Sequence, residues 1–440
     1  MKTRLPQISS AARQKSQMQT SVAASRQSAI IVGMPIGLYI SVPFCRSKCS
    51  YCNFASDVFS HAVFRSYVDR VCADMKRATQ TVAQMGGCLE HVVDSIYLGG
   101  GTPTVLDISL LRRLLVTIGQ NFEVQPGAEI TVECAPGTLT PAVLEALDGC
   151  GVNRVSLGVQ SFVDREAASV GRLHNRKTVL DDIRNLRAAG ITNINLDLLA
   201  GLPHQTVDSW AFSLEQTLAS RVPHVSVYML EVDEDSRLGR ELIAGGARYH
   251  AHFVPDEDVT ADLYTMACER LQAGGVPQYE ISNFARQGCE SQHNLKYWSR
   301  QPYLGFGVDA HSMLLRSKGG AEAVRFSWPD SLEAFVAGGA LSRTQVSTAA
   351  ALEEAFFLGL RLTRGINLRQ VATSFGEDAM AGFSQSITDF VRLKLIERQG
   401  DVIRLTARGR LLSNEVFERF IAVRTGEVAL SQESEMRLSG

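Results

Sequence analysis

The chain has 440 residues, 45% of them hydrophobic and 20% charged, with a formal net charge of −2. This is enough apolar material for one large or two ordinary domains, and too little basic excess for a general nucleic-acid or membrane-surface binder. No apolar run reaches the roughly 20 residues that a membrane-spanning helix needs. Nine cysteines, an odd count scattered over a long chain, suit a reducing compartment and thiolate chemistry better than a disulfide framework. Residues 1–33 carry Lys2, Arg4, Arg13, Lys15 and Arg26 and no acidic residue. Mitochondrial transit peptides and disordered tails share that composition. No amphipathic arginine face emerges, so the reading is a disordered extension on a cytoplasmic protein, or a mitochondrial one if the source is eukaryotic.

The first strand-like run, Gly37 to Val42, leads into Cys45, Cys49 and Cys52 within one short loop. Three soft thiolates so close together can hold three corners of a [4Fe–4S] cluster and leave its fourth iron open to a chelating small molecule. The competing reading, a zinc knot, wants a fourth ligand, and the next cysteine is Cys72, in a helical pattern. Helical spacing over 62–84 ends at Gly86-Gly87. A buried strand over 92–98 then enters Gly99-Gly100-Gly101-Thr102-Pro103, ahead of a helix near 107–120. Strand patterns recur at 129–133, 153–157, 193–198 and 224–230, separated by helical segments such as 140–147, where Thr140 is the N-cap and Pro141 opens the first turn. Six successive strand–helix units imply a parallel sheet with right-handed crossovers. The cysteines, the glycine run, Glu133, Gln160 and Asp197 all fall at carboxyl ends of strands, where barrel enzymes gather their sites. The expected fold is therefore α/β, an incomplete (β/α)6 barrel over 34–235 with an extension over 236–325.

Beyond Leu230 the pattern loosens, with a helix over 256–273 and an aromatic, polar stretch over 278–313. From about Phe326 the chain turns mainly helical. It includes a hairpin over 395–405 with Gln399-Gly400-Asp401 as its turn, so 326–425 is expected to form a helical, winged-helix-like domain. No dense basic face marks it as a DNA reader. A disordered tail, 426–440, is expected to follow.

Six separated stretches carry a family resemblance: ISVPFCRSKCSYCNFAS from Ile40, YLGGGTPT from Tyr97, RVSLGVQSF from Arg154, NLDLLAGLP from Asn195, YEISNFA from Tyr279 and HNLKYW from His293. With an aromatic before the last cysteine, the first resembles the motif of the radical S-adenosylmethionine (SAM) superfamily. The set as a whole, in order over about residues 37–425, resembles the HemW haem chaperones. These are related to the oxygen-independent coproporphyrinogen III dehydrogenase HemN. The resemblance implies a radical SAM barrel, a [4Fe–4S] cluster on Cys45, Cys49 and Cys52, and SAM held near Tyr39, Gly99, Gly100, Gly101, Thr102, Glu133, Gln160, Arg172 and Asp197. One-electron transfer from such a cluster cleaves SAM to methionine and a 5′-deoxyadenosyl radical. By the same resemblance His293, in an HNxxYW element linked to haem binding, is a candidate haem ligand, ahead of His311. The implied partners are haem, a haem-acceptor protein that is soluble or membrane-associated, and an electron donor such as a flavodoxin or ferredoxin, with no nucleic acid. The chain is expected to be a monomer or a dimer. Two departures bear on function. Phe54 stands where the dehydrogenase has a further cysteine, which favours the chaperone over the alternative, a porphyrinogen-oxidising enzyme. Asp309 stands where the family pattern has glycine, with an effect that the residues do not predict.

Overall fold

The computed structural model describes residues 34–421, so the expected extension 1–33 and the tail 426–440 lie outside the described residues. Six strands, β1 (Ile36–Ser41), β2 (Val92–Gly99), β3 (Glu123–Cys134), β4 (Arg154–Gln160), β5 (Asn193–Ala200) and β6 (His224–Met229), lie side by side in chain order, every neighbouring pair parallel. A doubly wound sheet reverses its strand order at a switch point, and here no reversal occurs. This is the consecutive order of an open α/β barrel.

Each strand alternates with period two. Leu38, Ile40, Ile96, Leu98, Val155, Leu157, Ile194 and Leu196 are buried against the helices in one continuous core. The other face is polar: Ser95 and Tyr97, Glu129 and Glu133, Arg154 and Ser156, Asn195 and Asp197, His224 and Ser226. These groups hydrogen-bond across the interior, as Asn195 does to Ser156, Asp197 and Ser226. Buried polar groups are tolerated because they satisfy one another.

The expected single helix over 62–84 is two, Phe64–Lys76 and Ala78–Met85. The break falls at Arg77, whose guanidinium reaches back to the buried Asp74 that also holds Arg70. After β6, the chain makes an excursion through helix Arg237–Ala244 and a turn at Ala251–Phe253 before helix Glu257–Ala273. Strand β7 (Asn283–Ala285) then pairs antiparallel with β6. Strand β8 (Tyr303–Phe306) returns to the opposite side and runs parallel to β1. Strands β9 (His311–Leu315), β10 (Ala323–Ser327) and β11 (Ser342–Val346) extend the same sheet to eleven strands.

The sheet thus runs past residue 326, where composition places the change of character, as far as Val346. A second hydrophobic core follows, in which Phe356 stacks on Phe383 and Phe420 at ring distances of 4.5 and 4.9 Å. Six helices from Thr348–Leu360 to Ser413–Ile421 surround a small antiparallel sheet of β12 (Ile366–Asn367), β13 (Ile396–Gln399) and β14 (Val402–Leu405), the last two forming the expected hairpin.

Candidate functional site

A cavity of about 620 Å³ opens at the carboxyl ends of the strands, and Tyr39, Cys45, Cys49, Cys52, Gly100, Gly101, Thr102, Glu133, Gln160, Arg172 and Asp197 all line it. The cysteine loop is fixed by backbone contacts on every side. Cys45 N–H donates to Asp57 O at 3.0 Å, Ser50 N–H to Val170 O at 3.2 Å, and the Ser47 hydroxyl to Gly171 O at 2.9 Å. Lys48 turns its ammonium inward to Ser56 O at 2.8 Å. Among the described residues no three His, Cys, Asp or Glu side chains converge on a point that one ion would occupy. A single zinc needs such convergence, whereas in an iron–sulfur cluster each thiolate takes a different iron. Three thiols on one loop at the cavity are donors of the kind an iron–sulfur cluster takes.

The glycine run after β2 is required by close approach. A Cβ on Gly99 would sit 2.7 Å from the Glu133 carboxylate carbon, and one on Gly101 would sit 2.6 Å from Val42 O. Gly100, at φ +91°, turns its N–H to Glu133 at 3.1 Å, and the Tyr97 hydroxyl donates to the same carboxylate at 2.8 Å. Burial pushes the Glu133 carboxyl up to about 7, against those hydrogen bonds. Burial raises Asp197 as well, although Ser156 and Asn195 donate to it at 3.0 and 2.7 Å. Gln160 closes β4 in the left-handed region, at φ 67°, beyond a register shift at Gly158/Gln160. Arg172 donates to the Tyr51 hydroxyl at 3.2 Å and leaves its buried Nε without a partner. Burial opposes its charge, but Tyr51 and Cys49 beside it more than offset this and hold its pKa above the ordinary value. A charged guanidinium with a spare donor, two carboxylates and a glycine-lined wall form a site for a zwitterionic ligand with hydroxyl groups. Gly99 lies behind Glu133, one residue before the cavity wall. The supports that sequence reasoning passed over are Tyr97 and Tyr51, which hold Glu133 and Arg172. Their signal was position, one on the inward face of β2 and one inside the cysteine loop.

Residues 39–216 match the family model of the Radical SAM superfamily, and residues 346–412 match that of the HemN C-terminal domain. Heme chaperone HemW of Bacillus subtilis (strain 168) is 34% identical over 389 residues, which cover 87% of this chain and 98% of the relative. Heme chaperone HemW of Lactococcus lactis subsp. lactis (strain IL1403) is 31% identical over 389 residues, with 88% and 97% covered. The chain belongs to the HemW family. Among solved structures, that of coproporphyrinogen III oxidase (HemN) from Escherichia coli, titled a radical SAM enzyme, superposes with a TM-score of 0.75 at 23% identity, over 89% of this chain and 91% of that one. At that identity the likeness carries the fold.

The HNLKYW segment of this HemW-family chain is helix Gln292–Trp298, at the other end of the barrel interior. His293 is 1% exposed and does not line the cavity. Its Nδ1 lies 3.1 Å from the Ser95 hydroxyl and its Nε2 lies 2.8 Å from the Tyr297 hydroxyl, so both ring nitrogens are engaged. Burial, then the charges of Lys296 and Arg154, push its pKa down to about 3 and keep the ring neutral. Glu129 accepts from the N–H groups of Gln292 and His293 at 3.0 and 3.1 Å and so caps this helix from within the barrel. Trp298 lies under Arg361 of the C-terminal domain, with the guanidinium carbon 4.2 Å from the ring centroid. Neither nitrogen of His293 faces open space in this structure. His311 is exposed and pairs with Asp309 at 3.4 Å, so the departure at 309 supplies that histidine with a partner.

Proposed function

We propose that this chain is a haem chaperone that binds haem and passes it to an acceptor protein, and that it carries a [4Fe–4S] cluster on Cys45, Cys49 and Cys52 together with SAM. The observation that carries the reading is the gathering of three pinned thiols, the glycine wall, Glu133, Gln160, Arg172 and Asp197 around one cavity. When bound, the cluster would supply single electrons for reductive cleavage at the SAM sulfonium. The chain's own part is placement. Arg172 offers its unpartnered Nε–H to a carboxylate, Glu133 and Asp197 accept from ribose hydroxyls, and the backbone of Gly100 and Gly101 lets the ligand approach closely.

Phe54 supports the chaperone over porphyrinogen oxidation. It is 68% exposed on the cavity rim, at the position where a further thiol would otherwise face the ligand. All nine cysteines are free, which fits the reducing cytoplasm, and among the described residues no helix is long and apolar enough to cross a membrane. The test is anaerobic. Chain with a reconstituted cluster receives SAM and reductant, with haemin in one sample and coproporphyrinogen III in another. Stoichiometric haem uptake without decarboxylation is expected, while protoporphyrinogen formation would make this an enzyme of tetrapyrrole synthesis.

A further inference from the structure

Both ring nitrogens of His293 are already hydrogen-bonded, so an imidazole that is free to meet a ligand comes from elsewhere in the chain. The chain has nine histidines. His174 and His224 are buried and hydrogen-bonded, His204 accepts from Arg165 at 3.2 Å, His91 meets Thr79, and His311 meets Asp309. His61, His250 and His252 remain, each with a ring contact (His61 on Phe64, His250 on His204, His252 on Phe253) and no side-chain hydrogen bond among the described residues; of the three, only the pair at 250 and 252 shares its segment with an exposed arginine, Arg248. Both stand on the turn that ends the excursion after β6, and His252 is the more exposed.

That turn is built to be held open to solvent. The Glu241 carboxylate accepts from Tyr249 N–H at 2.8 Å and Ala251 N–H at 3.1 Å, so the end of helix Arg237–Ala244 is clasped to residues 249–251. Gly245 and Gly246, both at positive φ, make the bend between them. The clasp leaves Leu242 and Ile243, 54% and 67% exposed, on the same small unit as Phe253, 47% exposed, whose ring lies 4.2 Å from that of His252. Three large apolar side chains in solvent, an imidazole with no hydrogen bond and the exposed Arg248 are the complement of a macrocycle that has an apolar face, an iron and carboxylate arms. The unit is also docked on the cysteine loop: Leu238 N–H donates to Ser50 O at 2.8 Å, and Asn53 donates to Asp233 at 3.2 Å.

We propose that this excursion is the haem-docking element of the chain. His252 ligates the iron, Leu242, Ile243 and Phe253 cover one porphyrin face, and Arg248 meets a propionate. The assignment rests on the haem-chaperone reading and gives it a location.

Haemin titrated into the purified full chain, followed at the Soret band, tests it. The unaltered chain is expected to bind one equivalent. His252→Ala raises the haemin dissociation constant by about tenfold or more, the scale of one lost anchoring contact. His252→Met keeps measurable binding and moves the Soret band, because the axial ligand changes. Leu242→Ser with Ile243→Ser weakens binding while leaving the band in place, and His250→Ala changes neither. All four positions lie on the surface unit, so cluster absorbance and thermal unfolding stay as in the unaltered chain. If His252→Ala and His252→Met both keep the original affinity and spectrum, the site is elsewhere. If the unaltered chain takes up no haemin, the chaperone reading itself falls, which the variants alone would not show.

Discussion

Replacing Glu133 by glutamine tests how the cavity is balanced between stability and binding. In the folded chain the carboxyl sits at about 7 against an ordinary 4.5. One unit is worth about 1.36 kcal/mol, so ionising this group in place costs about 3 kcal/mol relative to the unfolded chain. The sign follows from a raised acid. The folded state holds its proton more tightly, so stability is undiminished below pH 4.5, declines as pH rises through 7, and is lowest above it. Water reaches Glu133 from the cavity side, which makes 3 kcal/mol an upper bound. Glu133→Gln cannot ionise, so it is expected to be as stable as the unaltered chain at about pH 4 and more stable by up to about 3 kcal/mol at about pH 8.5. Urea unfolding of the metal-free protein at both pH values measures this. The same change removes an acceptor for a ribose diol, so SAM affinity should fall as alkaline stability rises. Equal pH profiles for the two proteins would refute the argument, because they would mean that the Glu133 carboxylate is not desolvated.

Cys49→Ser is predicted to abolish the brown, oxygen-sensitive absorbance of the reconstituted protein, and an unchanged spectrum would remove the cluster assignment. Arg172→Lys loses both the bond to Tyr51 and the spare Nε–H. SAM binding measured by equilibrium dialysis should weaken by about tenfold, since an ammonium cannot replace a planar fork. His293 stays neutral in the fold down to about pH 3, whereas an unfolded histidine takes up its proton near 6.5. Stability is therefore lost as pH falls from 6.5 toward 3, by up to about 4 to 5 kcal/mol. His293→Asn should flatten that acid limb in urea titrations at pH 6.5 and 4.5, and should leave haemin binding in place. Loss of haemin binding in that variant, with the fold intact, would count against an enclosed His293.

The barrel was legible because its strands alternate with helices of ordinary length and its chemistry-bearing residues sit at one end of each strand. Cys45, Glu133, Gln160 and Asp197 fall on one mouth from strand order alone, Arg172 joins them through the family resemblance, and all five line one cavity. The polar interior was also written in the chain. Arg154-Val155-Ser156-Leu157-Gly158 and Asn193-Ile194-Asn195-Leu196-Asp197 alternate with period two, so each of these strands has one polar face. The surroundings of His293 were not legible in the same way. Its partners, Ser95 and Tyr297, come from β2 and from the next helical turn, and neither hydrogen bonding nor burial can be read from a local motif. The edge of the C-terminal domain was blurred because Ser342–Val346 is mostly exposed and lacks an apolar face, so only pairing with β10 defines it as a strand. The break falls at Arg77, where Asp74 holds Arg70 and Arg77 on its two oxygens, and helical periodicity continues straight through it.

The cysteine loop near the start of the chain is held by groups that come far later. Ser47 is fixed to a residue 124 positions on, Asn53 to one 180 positions on, and Lys48 to one 189 positions on. The strand that leads into the loop is anchored at its base by Lys296, 261 positions from Pro35. Contacts of such span form late, because the ordering of a long intervening chain precedes any gain from them. During synthesis the three thiols therefore emerge first and stay on an unformed loop until the excursion after β6 has been made. The thiols of the growing chain thus pass through an interval in which nothing shields them, and in the finished fold they are buried or half-buried at the cavity.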